Sequence, residues 1–263
     1  MKRILFFLLI LVSAVSLVSA QNQIVPDTSI IYKTTKEGKL KLDVFMPPNH
    51  KMTDKRPVII FFFGGGWVSG TTRHFYQQAR YFSEKGFVTI SAEYRVAKIH
   101  KTTPFECVGD GKSAIRWVRE HADNLGIDTL KVIAAGGSAG GHVAACSAMI
   151  IGYEAESENT AISSVPNALI LFNPVLDTGE KGYGIEKVGA DRKDEISPVA
   201  HIRKGLPPAI IFHGTADKTV PFENAERFTK LMQEAGNTCE LVPFPGKDHG
   251  FFNGSFFRPG ADE

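Results

Sequence analysis

Apolar and polar positions alternate at first along this chain and then change rhythm. In Lys39-Leu40-Lys41-Leu42-Asp43-Val44 every second side chain is apolar, the period of a strand with one face buried and one face wet. A similar run occupies 30–34, and Glu37-Gly38 lies between them, so the pair predicts an antiparallel hairpin at a sheet edge. Further on, the alternation gives way to short continuous apolar runs at 58–63, 88–92, 132–135, 168–172, 209–212 and 240–244. Runs of that kind read as strands buried on both faces. Stretches with helical spacing stand between them, near 74–85, 105–122, 140–150 and 222–235. Strand and helix in alternation predict an α/β fold, a mostly parallel central sheet with helices on both faces behind the hairpin.

Several of these strands open directly into loops that can carry chemistry. The run Leu130 to Ala135 enters Gly136-Gly137-Ser138-Ala139-Gly140, a G-x-S-x-G turn between a buried strand and an apolar helix, the form of a nucleophile elbow. A serine hydroxyl needs a base to take its proton and an acid to orient that base. Asp217 follows the strand Ile210-Ile211-Phe212-His213, and His249 follows the last strand. The order Ser138, Asp217, His249 is the chain order of α/β-hydrolase triads, and each member falls just past the carboxyl end of a strand, where open α/β sheets gather such groups. His213, His142 and His74 are rivals for the base: His213 is expected to brace the loop of Asp217, and His142 to pack or bond to backbone. Asp177 and Asp248 are rivals for the acid, and the plain structural role of Asp217 is a cap before Pro221.

The strand 58–63 ends in Phe63-Gly64-Gly65-Gly66-Trp67, and three glycines there let backbone N–H groups turn toward a reacting carbonyl. With this element the chain resembles the α/β-hydrolase esterases and lipases that carry H-G-G-G-W, Phe63 standing at the histidine position. Within that superfamily it is most similar to the secreted bacterial acetylxylan and feruloyl esterase-like group, and Asp110 to Trp117 matches a helix pattern common there. The resemblance implies an oxyanion hole made by the amides of Gly65, Gly66 and Ala139. It implies a secreted serine esterase acting on short-acyl esters, acetyl or feruloyl groups on polysaccharide among them. Trp67, Phe251 and Phe252 adjoin these loops, and Trp67 and Phe251 are the expected substrate contacts. Residues 177–196, polar and glycine-rich, interrupt the strand–helix rhythm; they are read either as a lid or pocket wall or as a solvated loop.

Composition narrows the setting. Met1-Lys2-Arg3, an apolar stretch, and Val18-Ser19-Ala20 have the charged start, short core and small-residue cleavage site of a signal peptide over 1–20, leaving 21–263 as one catalytic domain that is secreted or periplasmic, with no stable membrane insertion after cleavage. The chain has 30 Lys and Arg against 28 Asp and Glu; without Lys2 and Arg3 the balance is 28 to 28. A formal charge of zero with no basic stretch argues against nucleic-acid binding. Cys107, Cys146 and Cys239 form an odd set without metal spacing, so no disulfide framework is expected and Cys146 reads as a buried free thiol. No metal or other cofactor is expected, since no H-E-x-x-H, paired cysteines or acidic cluster appears. After His249 the sequence contains Gly254, Pro259 and Gly260 without helical periodicity; relatives of this shape continue into a terminal helix, so that helix is expected to be absent and the reading truncated. The competing functions are a serine peptidase or amidase with the same triad, and a non-catalytic binding protein on a hydrolase scaffold.

Overall fold

The computed structural model describes residues 23–253. The signal-peptide reading of 1–20 and the expectation about the chain beyond residue 253 both fall outside the described residues.

The described chain builds an eight-stranded sheet from β1 (Thr28–Thr35), β2 (Gly38–Phe45), β3 (Arg56–Phe62), β4 (Val88–Ala92), β5 (Ile127–Gly137), β6 (Ala168–Phe172), β7 (Ala209–Gly214) and β8 (Cys239–Phe244). Their spatial order is β1-β2-β4-β3-β5-β6-β7-β8. The β1–β2 hairpin is antiparallel, and β2 meets β4 antiparallel. From β4 onward every pairing is parallel. The hairpin and the parallel sheet therefore form as the two rhythms of the sequence require.

The period of two in β3 divides the interior. Val58, Ile60 and Phe62 join the larger core with Val132 and Ala134 of β5, while Ile59 and Phe61 join a second core on the other face. The larger core receives α3 (Pro104–Glu120), α5 (Ala139–Met149) and α7 (Phe222–Glu234); the second receives α1 (Tyr76–Glu84). Helix α3 starts where its sequence prescribes: Thr103 and Glu106 form a capping box with Pro104 in the first turn, which satisfies two amides that a helix start leaves open. On the α1 face, Ile170, Phe172, Ile210 and Phe212 border a groove of about 490 Å³.

Several boundaries differ from the sequence reading. The stretch 74–85 splits into a 3-10 turn, Thr72–Phe75, followed by α1. Strand β5 begins at Ile127, ahead of 132. The one-turn helices α2 (Ala97–His100), α4 (Ala122–Leu125) and α6 (Ile185–Val188) were not anticipated, because four residues are too few to display a period of 3.6. All three cysteines are buried free thiols, and Cys107 and Cys239 are not bridged.

Candidate active site

Strand β5 ends at Gly137, and Ser138 turns the chain into α5 with φ 54° and ψ −123°. A side chain held there is strained, and strain of this kind collects where a reactive group must be presented. The turn is possible because Gly140 has no side chain: a Cβ there would stand 2.1 Å from the Phe62 carbonyl oxygen and 2.3 Å from that of Phe63. Helix α5 thus begins against the end of β3. The Ser138 amide donates to the Phe172 carbonyl, and the Ser138 carbonyl accepts from the amides of His142 and Val175.

Ser138, His249 and Asp217 form one hydrogen-bonded chain. The Ser138 hydroxyl donates to His249 Nε2 at 2.9 Å, and His249 Nδ1–H donates to Asp217 Oδ2 at 2.7 Å. That second bond fixes the tautomer that leaves Nε2 as acceptor. Asp217 Oδ1 accepts from the amides of Thr219 and Val220 at 2.8 and 2.9 Å, so the same carboxylate caps its own loop and orients the imidazole. Burial pushes the Asp217 pKa up, but hydrogen bonds from His213, His249 and the Val220 amide outweigh it and hold the group well below the usual carboxylate range. The carboxylate is therefore ionised wherever His249 can act as a base.

Asn173, which sequence reading passed over, ties these loops together. It is fully buried at φ 40° just after β6. Its Nδ2 donates to the carbonyls of Asp248 and His249 at 3.2 and 2.7 Å, and its Oδ1 accepts from the Gly214 amide at 2.8 Å. The available signal was Asn173-Pro174 directly after an apolar strand, a pair that marks a turn.

The glycine loop after β3 lies against the serine. A Cβ on Gly64 would be 3.3 Å from Ser138 Cβ. Gly65 and Gly66 have φ of +126° and +61°. The amides of Gly65, Gly66 and Ala139 donate to no group among the described residues, and Ala139 opens α5, whose amino end carries partial positive charge. Phe63 braces this loop by packing: its ring stacks on Tyr94 with centroids 4.2 Å apart, and the Tyr94 hydroxyl donates to the Phe63 carbonyl at 2.6 Å.

The two aromatic residues expected to touch the substrate are packed against other side chains. Trp67 is 1% exposed, its ring edge-on to His142 and covered by Tyr183 and Gly184; the positive φ of Gly66 and Trp67 turns it inward. Phe251 stacks on Phe244, centroids 4.6 Å apart, and borders the groove on the α1 face. The rival histidines take supporting places. His213 Nε2–H donates to the Val220 carbonyl at 3.0 Å and lies 3.4 Å from Asp217 Oδ2. His142 donates to the Ile196 carbonyl at 2.7 Å. Asp177 pairs with Arg227, and Asp248 accepts from the Gly250 amide. Among the described residues no group of three or more His, Cys, Asp or Glu could hold a metal ion, and no helix is long and apolar enough to cross a membrane.

A sheet of this topology, with a serine on a positive-φ turn between its central parallel strand and the following helix, defines the class as an esterase-type α/β-hydrolase. The chain belongs to the BD-FAE family, which matches residues 42–178 and 183–232. It is similar to esterase 2 of Thermogutta terrifontis, 49% identical with a TM-score of 0.84 over 88% of this chain and 87% of that one. The propionate-bound form of that esterase superposes with a TM-score of 0.82 at 50% identity, covering 86% of both chains. It is also 28% identical to an acetylxylan esterase of Xylanibacter ruminicola over 84% of this chain and 46% of that protein. The chain spans about half the length of that and several other curated relatives.

Proposed function

We propose that this chain hydrolyses carboxylic esters of short acyl groups through an acyl-enzyme on Ser138. The observation that carries the reading is the unbroken chain from the Ser138 hydroxyl through His249 to Asp217, at 2.9 and 2.7 Å. Ser138 Oγ attacks the ester carbonyl carbon while its proton passes to His249 Nε2. Negative charge develops on the carbonyl oxygen, where the free amides of Gly65, Gly66 and Ala139 receive it. His249 then gives the proton to the departing alkoxide, and the acyl group stays on Ser138. Water repeats the sequence, giving its proton to His249 and releasing the acid. Asp217 holds the imidazole in place and stabilises its protonated form.

Acetyl and similarly small acyl groups are the proposed substrates, with acetylated or feruloylated polysaccharide as the natural source. The propionate-bound Thermogutta esterase 2 and the Xylanibacter acetylxylan esterase support this choice. The signal-peptide pattern of residues 1–20 supports a secreted or periplasmic setting, where such polymers are met.

Kinetics on 4-nitrophenyl esters of increasing acyl length, acetylated xylan and a peptide anilide test the reading. Ser138→Ala and His249→Ala should lower kcat/KM by about four to six orders of magnitude without unfolding the protein, with Asp217→Asn retaining somewhat more. Activity should fall steeply from acetate and butyrate toward octanoate. A Ser138→Ala protein keeping more than a tenth of the activity removes the mechanism. A maximum at dodecanoate removes the small-acyl assignment, and faster cleavage of the anilide makes the protein an amidase.

A further inference from the structure

Residues 177–196 carry two polar side chains to the glycine loop. A Cβ on Gly66 would lie 2.8 Å from Tyr183 Oη and 3.4 Å from Lys187 Nζ, so phenol and ammonium stand immediately over the turn whose amides are free. Their position is fixed from below. Gly184, at φ +91°, rests so closely on the buried Trp67 ring that a Cβ there would approach to 2.5 Å. The Tyr183 amide donates to the Asp177 carbonyl at 2.9 Å, and Asn224 Nδ2 donates to the Lys181 carbonyl at 2.9 Å.

The hydrogen bonding leaves one donor over. Lys187 Nζ donates to Tyr183 Oη at 2.9 Å and stands 4.4 Å from the centre of the Tyr183 ring. With its oxygen accepting from Lys187, the Tyr183 hydroxyl has its own proton left to give, and it meets no acceptor among the described residues. Glu186, exposed, pairs with Lys187 at 3.3 Å, so what faces the turn is a hydrogen-bond donor more than a net cation. A donor covered by a substrate methylene loses its water with nothing in return, whereas an ether or hydroxyl oxygen restores the bond.

We infer that Tyr183, positioned by Lys187, donates to a second oxygen of the substrate close to the scissile ester. The site thereby selects hydroxylated or alkoxylated esters over alkyl esters of equal size. This rests on ester hydrolysis at Ser138, which the parent protein must show before any variant is compared.

Two substrate pairs exchange one CH2 for O: 4-nitrophenyl butyrate against 4-nitrophenyl methoxyacetate on the acyl side, and butyl acetate against 2-methoxyethyl acetate on the alcohol side. Intrinsic reactivity differs within each pair, but it cancels when the ratio of kcat/KM is compared between parent, Tyr183→Phe and Lys187→Met. In Tyr183→Phe the ether-to-alkyl ratio should fall about tenfold in one pair, the effect of one hydrogen bond, with hydrolysis of the alkyl ester within about threefold of the parent. Lys187→Met should show a smaller fall in the same pair, and the pair affected identifies the side on which the oxygen binds. Ratios unchanged within twofold in both pairs for Tyr183→Phe, including an equal loss on both esters, overturn the inference. A parent without esterase activity overturns instead the reading of Ser138.

Discussion

At the scale of single residues, the elbow is where local and global preferences disagree. Ser138 occupies a conformation disfavoured for any residue with a Cβ, at a cost of about 1–3 kcal/mol. Ser138→Gly should therefore unfold at higher urea than Ser138→Ala, by about 1 kcal/mol after the greater flexibility of glycine in the unfolded chain is deducted; both variants lack the hydroxyl. Equal stability of the two would show the turn to be unstrained. His142 makes a second prediction. It is fully buried in α5, and burial, partly opposed by its bond to the Ile196 carbonyl, brings its pKa down to about 4. In the unfolded chain a histidine takes its proton near 6.5. Between those values the unfolded state binds more protons, so stability falls as pH falls, by up to about 3 kcal/mol. Urea unfolding at pH 7, 5.5 and 4 should show that loss in the parent and a shallower one in His142→Gln. Asp217, whose folded pKa is depressed, contributes its stability above the unfolded carboxylate range and loses it only in more acid solution, so the two residues act in separate windows.

At the scale of elements, α3 was legible as a helix but not as the carrier of a buried ion network. Its helical spacing is visible in the sequence, whereas nothing there marks Asp110, Lys112 and Arg116 as buried charges. In the fold they are almost fully buried. Asp110 accepts from Arg95 Nε and Nη2 at 2.8 and 3.0 Å and from Lys33 Nζ at 2.8 Å. Lys112 Nζ reaches the carbonyls of Ile150 and Gly152, and Arg116 pairs with Glu158. What decides this is the packing of β1 and the 150–163 segment over α3, a long-range event with no local signature. Asp110→Ala should destabilise the fold by about 2–3 kcal/mol, because it removes the fully buried carboxylate between Arg95 and Lys33 and leaves them only Glu37 at 3.1 Å and Glu158 at 3.8 Å. A melting temperature unchanged from the parent would show that the network is solvated after all. The parallel strands and the glycine turns were readable for the opposite reason: apolar runs and glycine spacing report local requirements. Tyr183 and Lys187 were not, since nothing in a polar, glycine-rich stretch says which turn it will cover.

For the whole molecule, the site joins parts of very different security. Ser138 leaves β5, which is flanked by β3 and β6 in the middle of the sheet. His249 follows β8, which among the described strands pairs only with β7 and has two exposed and three half-exposed positions among its six, and its loop is tied back to the core through Asn173. Residues 111 positions apart in sequence thus meet in one hydrogen bond, one end of it anchored in the core and the other at the rim. A sub-global opening that frees β8 and releases the Asp248 and His249 carbonyls from Asn173 would break that bond without cooperative unfolding of the domain. In a urea or temperature series, hydrolysis should fail before tryptophan fluorescence reports loss of the core, with amides of β8 exchanging hydrogen faster than those of β5. Coincident midpoints would mean that the rim opens only with the core. If they separate, the lifetime of this catalyst is set by the free energy of a local opening, and substitutions that strengthen the β7–β8 border would prolong activity without raising the global melting point.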